Sequence, residues 1–570
     1  MSKVAKSPKS LIFPCEKYQS YWGSYKKIWS FYIHGNERAR QAKNTYNNCN
    51  SQFSIQFSLN YLLGSEASVY IGEWSQGLRS GYGVLDHIVS GEKYMGMWNQ
   101  DMKSGLGCVV TIDGVYYEGT FSHNKMSGKG LMMFEDETIY EGNFADTGVF
   151  SGVGTMITPN GDRLEGSFYG NYTDGMKFNG TIFKVVQSPI SKDELDWTKS
   201  NMQKIGQHTV PAEQKWKSIY GYYHDIFTLP EPRRSGSISN TPVIWEQLAI
   251  SINQAKNNAK LEFYKKKNNH YGSNMSLDID LDGIEMIPDY FAQDLTLEYL
   301  TNLNAYLKKA FSSPFHPLAN LLGSLSDCYT STYGGVRVHP RLLKHAIDEL
   351  QAMVEGIYYF IRALFPALPQ VGDCKVIEQE DKCQFVTAPS LVYPHILPSL
   401  HPSVFMLYAL HYKKDDDGYW ARILKWNKHP DLALLSFLEV NKKFWSIDDP
   451  SKATEKDVHF TAAIETLQQL KTTFTPLEKL EVLLETFKEV NRIGTETCGS
   501  AFCWSMDDLF PVFQYIVVRA RILQLGAEIH MIQDLMESHY ATGEYGIMFT
   551  TLQASYYQIL KESISMVWRM

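Results

Sequence analysis

The chain has 570 residues, 44% of them hydrophobic and 20% charged, an ordinary balance for a globular protein long enough to hold several domains. Its net charge of −8, from 54 basic and 62 acidic residues, has the wrong sign for a protein that coats nucleic acid, so no nucleic-acid partner is expected. Eight scattered cysteines complete no zinc-site spacing, the N-terminus lacks the apolar core of a signal peptide, and no run approaches the ~20 apolar residues of a membrane span, so a reduced, cytoplasmic chain is expected.

Residues 1–66 are polar and Asn-rich around one aromatic stretch, YQSYWGSYKKIWSFYIHG, and read as poorly ordered or unassigned. A repeat then begins. YIGEW at Tyr70, YMGMW at Tyr94, YEGTF at Tyr117, YEGNF at Tyr140 and LEGSF at Leu164 are separated by 24, 23, 23 and 24 residues. Each is followed by a second block: SGYGVL, SGLGCV, SGKGLM, SGVGTM and FNGTIF. The aromatic–x–Gly–x–aromatic alternation is a period-two strand whose glycine admits close approach of a backbone or ring. The polar segment is a turn, and the Gly-x-Gly block opens the return strand. Such a hairpin cannot bury its own face; five in series share a core by stacking. The pattern resembles the MORN (membrane occupation and recognition nexus) repeat. That resemblance implies an N-terminal antiparallel β sheet of stacked hairpins over residues 67–186, with the divergent Leu164 unit as its cap. Two roles fit it: a peripheral membrane contact, or a scaffold that packs on the same chain or on a partner.

Over residues 187–425 the period changes to that of a helical region. RLLKHAIDELQAMVEGIYYFIRALF spaces its apolar residues for an amphipathic helix that Pro366 and Pro369 stop. Loops are expected near 265–283 and 366–400. The first holds DIDLDG, which lacks the spacing of a calcium loop and reads as a solvated acidic turn, so no metal or other cofactor is expected.

Residues 426–570 read as all-α. In TPLEKLEVLLETFKEV, Thr475 is the N-cap, Pro476 the first helical residue and Glu478 the partner in a capping box, with Leu480, Leu483, Leu484 and Phe487 facing inward. Helices near 508–522 and 526–537, a turn at ATGEYG and a last helix from Thr550 or Thr551 follow. The chain has no phosphate loop ending in Lys-Ser/Thr, no Gly-x-Ser-x-Gly and no His-Glu-x-x-His, so no covalent chemistry is expected.

WSMDDLFPVF admits two readings. Asp507 and Asp508 can be first-turn acids that gain ~0.3–1 kcal/mol each from the helix dipole. If Ser505 caps that helix, however, Pro511 lies inside it and removes a hydrogen bond at ~3 kcal/mol. If regular helix starts near Asp508–Pro511 instead, that cost vanishes and Asp507 stands just outside with its carboxylate free. The segment Asp507-Asp508-Leu509-Phe510-Pro511, followed downstream by GEYGIMFTTLQASYY, resembles the signature of the Vps-nine exchange domain: Asp-x-x-x-Pro, then Gly-Glu, then Tyr-x-x-Thr. That family opens Rab GTPases of the Rab-five subfamily. The resemblance makes Asp507 the acidic finger, Pro511 the proline, Gly543-Glu544 the turn and Thr550 the threonine, with Ile547 at the tyrosine position. It implies that Asp507, Pro511 and Thr550 carry nucleotide exchange. Phe510, Ile547, Phe549, Leu525 and Glu544 would contact the GTPase, and Asp508 would be the dipole acid.

KWKSIYGYY, HPLANLLGSL, VFMLYALHYKKDDDGYW and KWNKHPDLALLSFL extend the resemblance to the alsin family, over residues 68–570. The implied function is guanine-nucleotide exchange on a Rab-five-type GTPase, peripheral to early endosomes. The alternative is a weakly active or non-catalytic scaffold, a homo-oligomer or a binder of alsin-family chains through its MORN and helical regions.

Overall fold

The computed structural model describes residues 68–87, 90–184, 205–229, 241–269, 294–335, 338–378, 383–445 and 459–562. The expectations for residues 1–66 and for DIDLDG lie outside them.

Each repeat is a hairpin. The pairs are Ser68–Ser75 with Leu78–His87, Glu92–Asn99 with Met102–Val110, Tyr116–Ser122 with Lys125–Met133, Ile139–Asp146 with Val149–Ile157, and Arg163–Asn171 with Gly175–Phe183. In chain order these are β1–β10, and they form one antiparallel sheet in that order. The repeat motif explains itself in the second unit. Gly96 pairs with Gly107, and the Tyr94 ring lies across both: a Cβ on Gly96 would stand 2.5 Å from the Tyr94 hydroxyl oxygen and 2.6 Å from the Gly107 Cα. The β3–β4 ladder then skips Met97, and the Tyr94 hydroxyl donates to that residue's carbonyl at 2.8 Å. Tyr70, Tyr117 and Tyr140 do the same for Glu73, Thr120 and Asn143, each skipped by its own hairpin ladder. Tyrosine, glycine pair and bulge are therefore one device, in which the hydroxyl supplies the partner that the bulge removes. The fifth unit has Leu164 in place of tyrosine, and its ladder runs unbroken from Arg163 to Asn171. Edge-to-face ring contacts carry the stack from unit to unit, Tyr94 to Phe121 at 5.1 Å and Tyr117 to Phe144 at 5.2 Å.

The opposite face of the sheet, with Val84, Met95, Cys108 and Leu131, packs into a core shared with helices. Thirteen α-helices follow the sheet among the described residues. The first six are α1 (Lys217–Ile226), α2 (Thr241–Asn269), α3 (Leu297–Ser312), α4 (Pro317–Tyr333), α5 (Leu343–Leu364) and α6 (Ala388–His411). Polar bonds tie together the sheet, the segment 205–216 and these helices. Lys93 donates to the Thr332 carbonyl at the end of α4, 2.9 Å away. Glu349 of α5 receives Lys215, the Trp216 indole and the Tyr333 hydroxyl at 2.7, 2.8 and 2.7 Å. Glu118, fully buried in the sheet, accepts the Tyr116 hydroxyl at 2.5 Å and the backbone N–H groups of Gly206, Gln207 and His208. One face of the sheet thus packs on its own chain.

The expected loop at 366–400 is only partly one. It contains a short hairpin, β11 (Lys375–Glu378) and β12 (Cys383–Val386), and the whole first half of α6. Pro394, Pro398 and Pro402 lie inside α6. Their four-residue spacing puts the missing hydrogen bonds on one side of the helix. Thr387 and Ser390 form a reciprocal capping box at its start, and Leu391, Val392, Ile396, Leu397, Leu400, Val404 and Leu407 are buried. Burial at about 1.5–3 kcal/mol per large side chain outweighs the helix-breaking tendency of the prolines.

A second core gathers α7 (Lys413–Trp426), α8 (Asp431–Phe437), α9 (Thr461–Leu467), α10 (Pro476–Cys498), α11 (Met506–Ala520), α12 (Leu525–Leu535) and α13 (Gly543–Lys561). Helix α10 starts as its sequence reads, with Thr475, Pro476 and Glu478 in a complete capping box. Helix α12 belongs to both cores: Ala527, Met531 and Leu535 pack with the first, and Leu525, Ile529 and Ile532 with the second.

Candidate functional site

The site is built on the first turn of α11 and the exposed side of α13, two helices packed in the second core. Ser505 is the N-cap of α11, its hydroxyl accepting the Asp508 N–H at 3.2 Å, and the helix begins at Met506. Of the two readings of this segment, the one with Ser505 as the cap holds, and the one that leaves Asp507 outside the helix does not. Asp507 is the second residue of the first turn and Pro511 lies inside the helix. The bond that Pro511 deletes is the one to the carbonyl of Asp507, an exposed residue, and the buried run from Val512 to Val518 holds the helix together beyond it.

The two adjacent acids have different surroundings. The Asp508 carboxylate lies 2.7 Å from the Lys443 ammonium and accepts from the Asn441 amide at 3.1 Å. Those hydrogen bonds, Lys443 first, hold its carboxyl below the usual carboxylate range. Asp507 is exposed, and its carboxylate has no hydrogen-bond or ion-pair partner among the described residues. Met506, beside it, is 54% exposed.

Helix α13 begins at Gly543, several residues before the expected start at Thr550 or Thr551. The glycines of ATGEYG read as a turn. Gly546 is instead a buried helical residue, where a Cβ would stand 2.6 Å from the Ala541 carbonyl carbon. The earlier start puts Glu544, Ile547 and Thr550 on one rigid element. Glu544 and Thr550 are exposed, Ile547 is 63% exposed, and the Thr550 hydroxyl donates back to the Gly546 carbonyl at 2.7 Å. Phe510 and Pro511 are half-buried. Leu525 and Phe549 are corrected: at 0% and 4% exposure they are core residues that present nothing to a partner. Leu525 packs at the α12 start and Phe549 on the inner side of α13.

Behind this face, Asp416 of α7 caps α12, accepting the Gly526 and Ala527 N–H groups at 2.7 and 3.2 Å and the Tyr556 hydroxyl of α13 at 3.1 Å. Lys479 and Glu528 form a buried ion pair at 2.7 Å, and Lys479 also donates to the Leu470 and Thr473 carbonyls. Sequence reading missed Lys443, Asn441 and Asp416, because no local pattern ties them to residues so far along the chain.

Residues 460–563 match the vacuolar sorting protein 9 (VPS9) domain, residues 236–404 the alsin helical array domain, and residues 70–87, 94–115, 117–139 and 140–163 the MORN repeat. Alsin of Homo sapiens is 39% identical over 531 residues, covering 88% of this chain and 31% of alsin. The human ALS2 C-terminal-like protein is 31% identical over 420 residues, covering 72% of this chain and 42% of that protein. The architecture is alsin-like. MORN repeats, helical array and VPS9 domain succeed one another along the chain, which spans about a third of the length of the alsins it matches. The alsin homolog of Drosophila melanogaster is 25% identical over 293 residues, half of this chain and 19% of that protein. The MORN match ends at residue 163, so the alsin-like sheet carries its tyrosine-less fifth hairpin beyond the matched repeats. No helix among the described residues is long and apolar enough to cross a membrane.

Proposed function

We propose that the chain promotes GDP release from a small GTPase of the Rab-five subfamily, working in the cytoplasm at the surface of early endosomes. A GTPase holds its nucleotide through a phosphate-binding backbone loop, one lysine and Mg²⁺. Asp507 offers that lysine a carboxylate in place of a phosphate oxygen and sets negative charge where Mg²⁺ and the β-phosphate would sit. A charge-assisted bond of this kind is roughly twice as strong as a neutral one. Thr550 serves as a polar anchor, and Ile547, Phe510 and Pro511 meet the apolar switch surface. Exchange is then a competition between binding partners with no covalent step. The observation that carries this reading is the exposed, unpartnered Asp507 carboxylate on the start of a helix whose next acid is tied down.

The test is GDP release from a panel of purified Rab GTPases. The wild-type chain accelerates release from Rab-five-type members, and Asp507→Ala removes the acceleration while leaving the thermal transition in place. Equal rates for the two proteins would refute the role of Asp507. One observation favours a second reading, a scaffold of weak activity that self-associates or binds alsin: Ile547 supplies no hydroxyl where the Vps-nine pattern has tyrosine. Under that reading Ile547→Tyr raises a low exchange rate and the wild type runs as an oligomer on sizing. Under the first reading the substitution leaves a rate that is already high.

A further inference from the structure

We infer that Lys443 is a positioning residue for Asp507, holding the first turn of α11 in place through its ion pair with Asp508. The inference rests on the proposed exchange function and adds a residue that lies far from the exchange signature in sequence. Lys443 sits on a short 3₁₀ turn, Lys442–Phe444, whose N-cap Asn441 accepts the Lys443 N–H at 3.3 Å and donates its own amide to Asp508 at 3.1 Å. The turn is itself anchored. Phe444 is buried and stacks on Trp504 at 4.5 Å, and the Lys443 ammonium lies 4.7 Å from the Phe444 ring and 5.3 Å from Phe502. Trp504 and Phe502 press in turn on Gly494 of α10, where a Cβ would stand 2.8 Å from the indole nitrogen and 2.9 Å from the Phe502 ring.

The connection from α10 to α11 is therefore gripped by one cluster of aromatic rings and the lysine that lies over them. Asp508 is the last grip before the exposed acid. An exchange carboxylate is useful only if it meets a lysine it does not have to search for, and orientation held in advance lowers the barrier of the step that uses it. The same pair keeps Lys443 from neutralising Asp507, since its ammonium is already engaged by the neighbouring acid. The carboxyl of Asp508, held below its ordinary range chiefly by Lys443, agrees with a pair that persists at neutral pH.

The experiment compares wild type, Lys443→Met, Lys443→Asp, Asp508→Lys and the double exchange Lys443→Asp/Asp508→Lys. Stimulated GDP release falls roughly tenfold in each single variant, in kcat more than in KM, and the double exchange recovers most of it. Hydrogen exchange on the protein alone quickens at Asp508 and Leu509, whose N–H groups bond to Ser505, in Lys443→Met, while protection in α10 and α13 is unchanged. Wild-type protection at those two amides in Lys443→Met overturns the inference whatever the exchange assay gives. So does a wild-type release rate in that variant. If the wild-type chain itself stimulates no GTPase, the proposed function fails, and the hydrogen-exchange result still decides whether Lys443 orders the turn.

Discussion

Two adjacent aspartates with opposite fates show what a residue's neighbours decide. Asp507 and Asp508 are indistinguishable by type, and the resemblance that singled out Asp507 drew on residues from Asp507 to Thr550. The ion pair that occupies Asp508 comes from Lys443, which no helix period or signature connects to it. The same holds for His345, whose role is invisible in the amphipathic pattern of α5. Its Nε2 lies 2.6 Å from the Tyr116 hydroxyl, which donates onward to Glu118, so the imidazole is the neutral donor at the head of a buried chain. Burial, with Lys215 and Lys344 beside it, pushes the imidazole down to about 3. Between its ordinary 6.5 and that value, the unfolded chain binds a proton that the folded chain does not, so His345 makes stability fall as pH falls. Glu118, raised by burial, works in the opposite sense, since its folded form takes up a proton first. The comparison of wild type with His345→Gln isolates the histidine. From pH 7 to pH 5 the wild type loses about 1–2 kcal/mol more than the variant in urea denaturation. Parallel pH profiles would mean that His345 is protonated in the folded protein.

At the scale of elements, the β repeat was legible because its physics is local. Tyrosine, glycine and return glycine lie within one hairpin, and the spacing repeats them often enough to be seen. What could not be read was that the hydroxyl serves the bulge. That correlation yields a paired prediction. Tyr94→Phe keeps the ring and loses one hydrogen bond to a carbonyl whose residue its own hairpin ladder skips, costing about 1–3 kcal/mol. Gly96→Ala drives a methyl into the Tyr94 ring and the Gly107 backbone and costs at least as much, with ~1–3 kcal/mol typical of overpacking. Thermal denaturation of both checks it; a Tyr94→Phe protein with wild-type Tm would show that the bulge needs no hydroxyl. The helices were less legible where turn residues sit inside them. The prolines of α6 and the glycines of α13 carry a local preference that core burial overrides, and neither burial nor a close backbone approach appears in a single-sequence pattern. Helix α10 has no such conflict at its start, where the capping box that its sequence spells is complete.

For the whole molecule, the sharing of α12 matters more than the boundaries between modules. One face of that helix closes the core that reaches back to the MORN sheet, and the other closes the VPS9 core that carries Asp507. Its N-terminus is pinned by Asp416 and Tyr556 at Gly526, where a Cβ would stand 2.6 Å from an Asp416 carboxylate oxygen and 2.7 Å from the Tyr556 ring. A helix held this way cannot shift for one core without disturbing the other, because packed interiors do not deform smoothly. Gly526→Ala is the probe. Overpacking there costs ~1–3 kcal/mol, and the loss is felt on both sides of α12. Hydrogen exchange should show reduced protection in α5 and α6 as well as in α13, within a single thermal transition of lowered Tm. Loss confined to α13, with α5 and α6 as protected as in wild type, would show two bodies that touch without sharing stability. The MORN sheet would then have no mechanical hold on the face that carries Asp507.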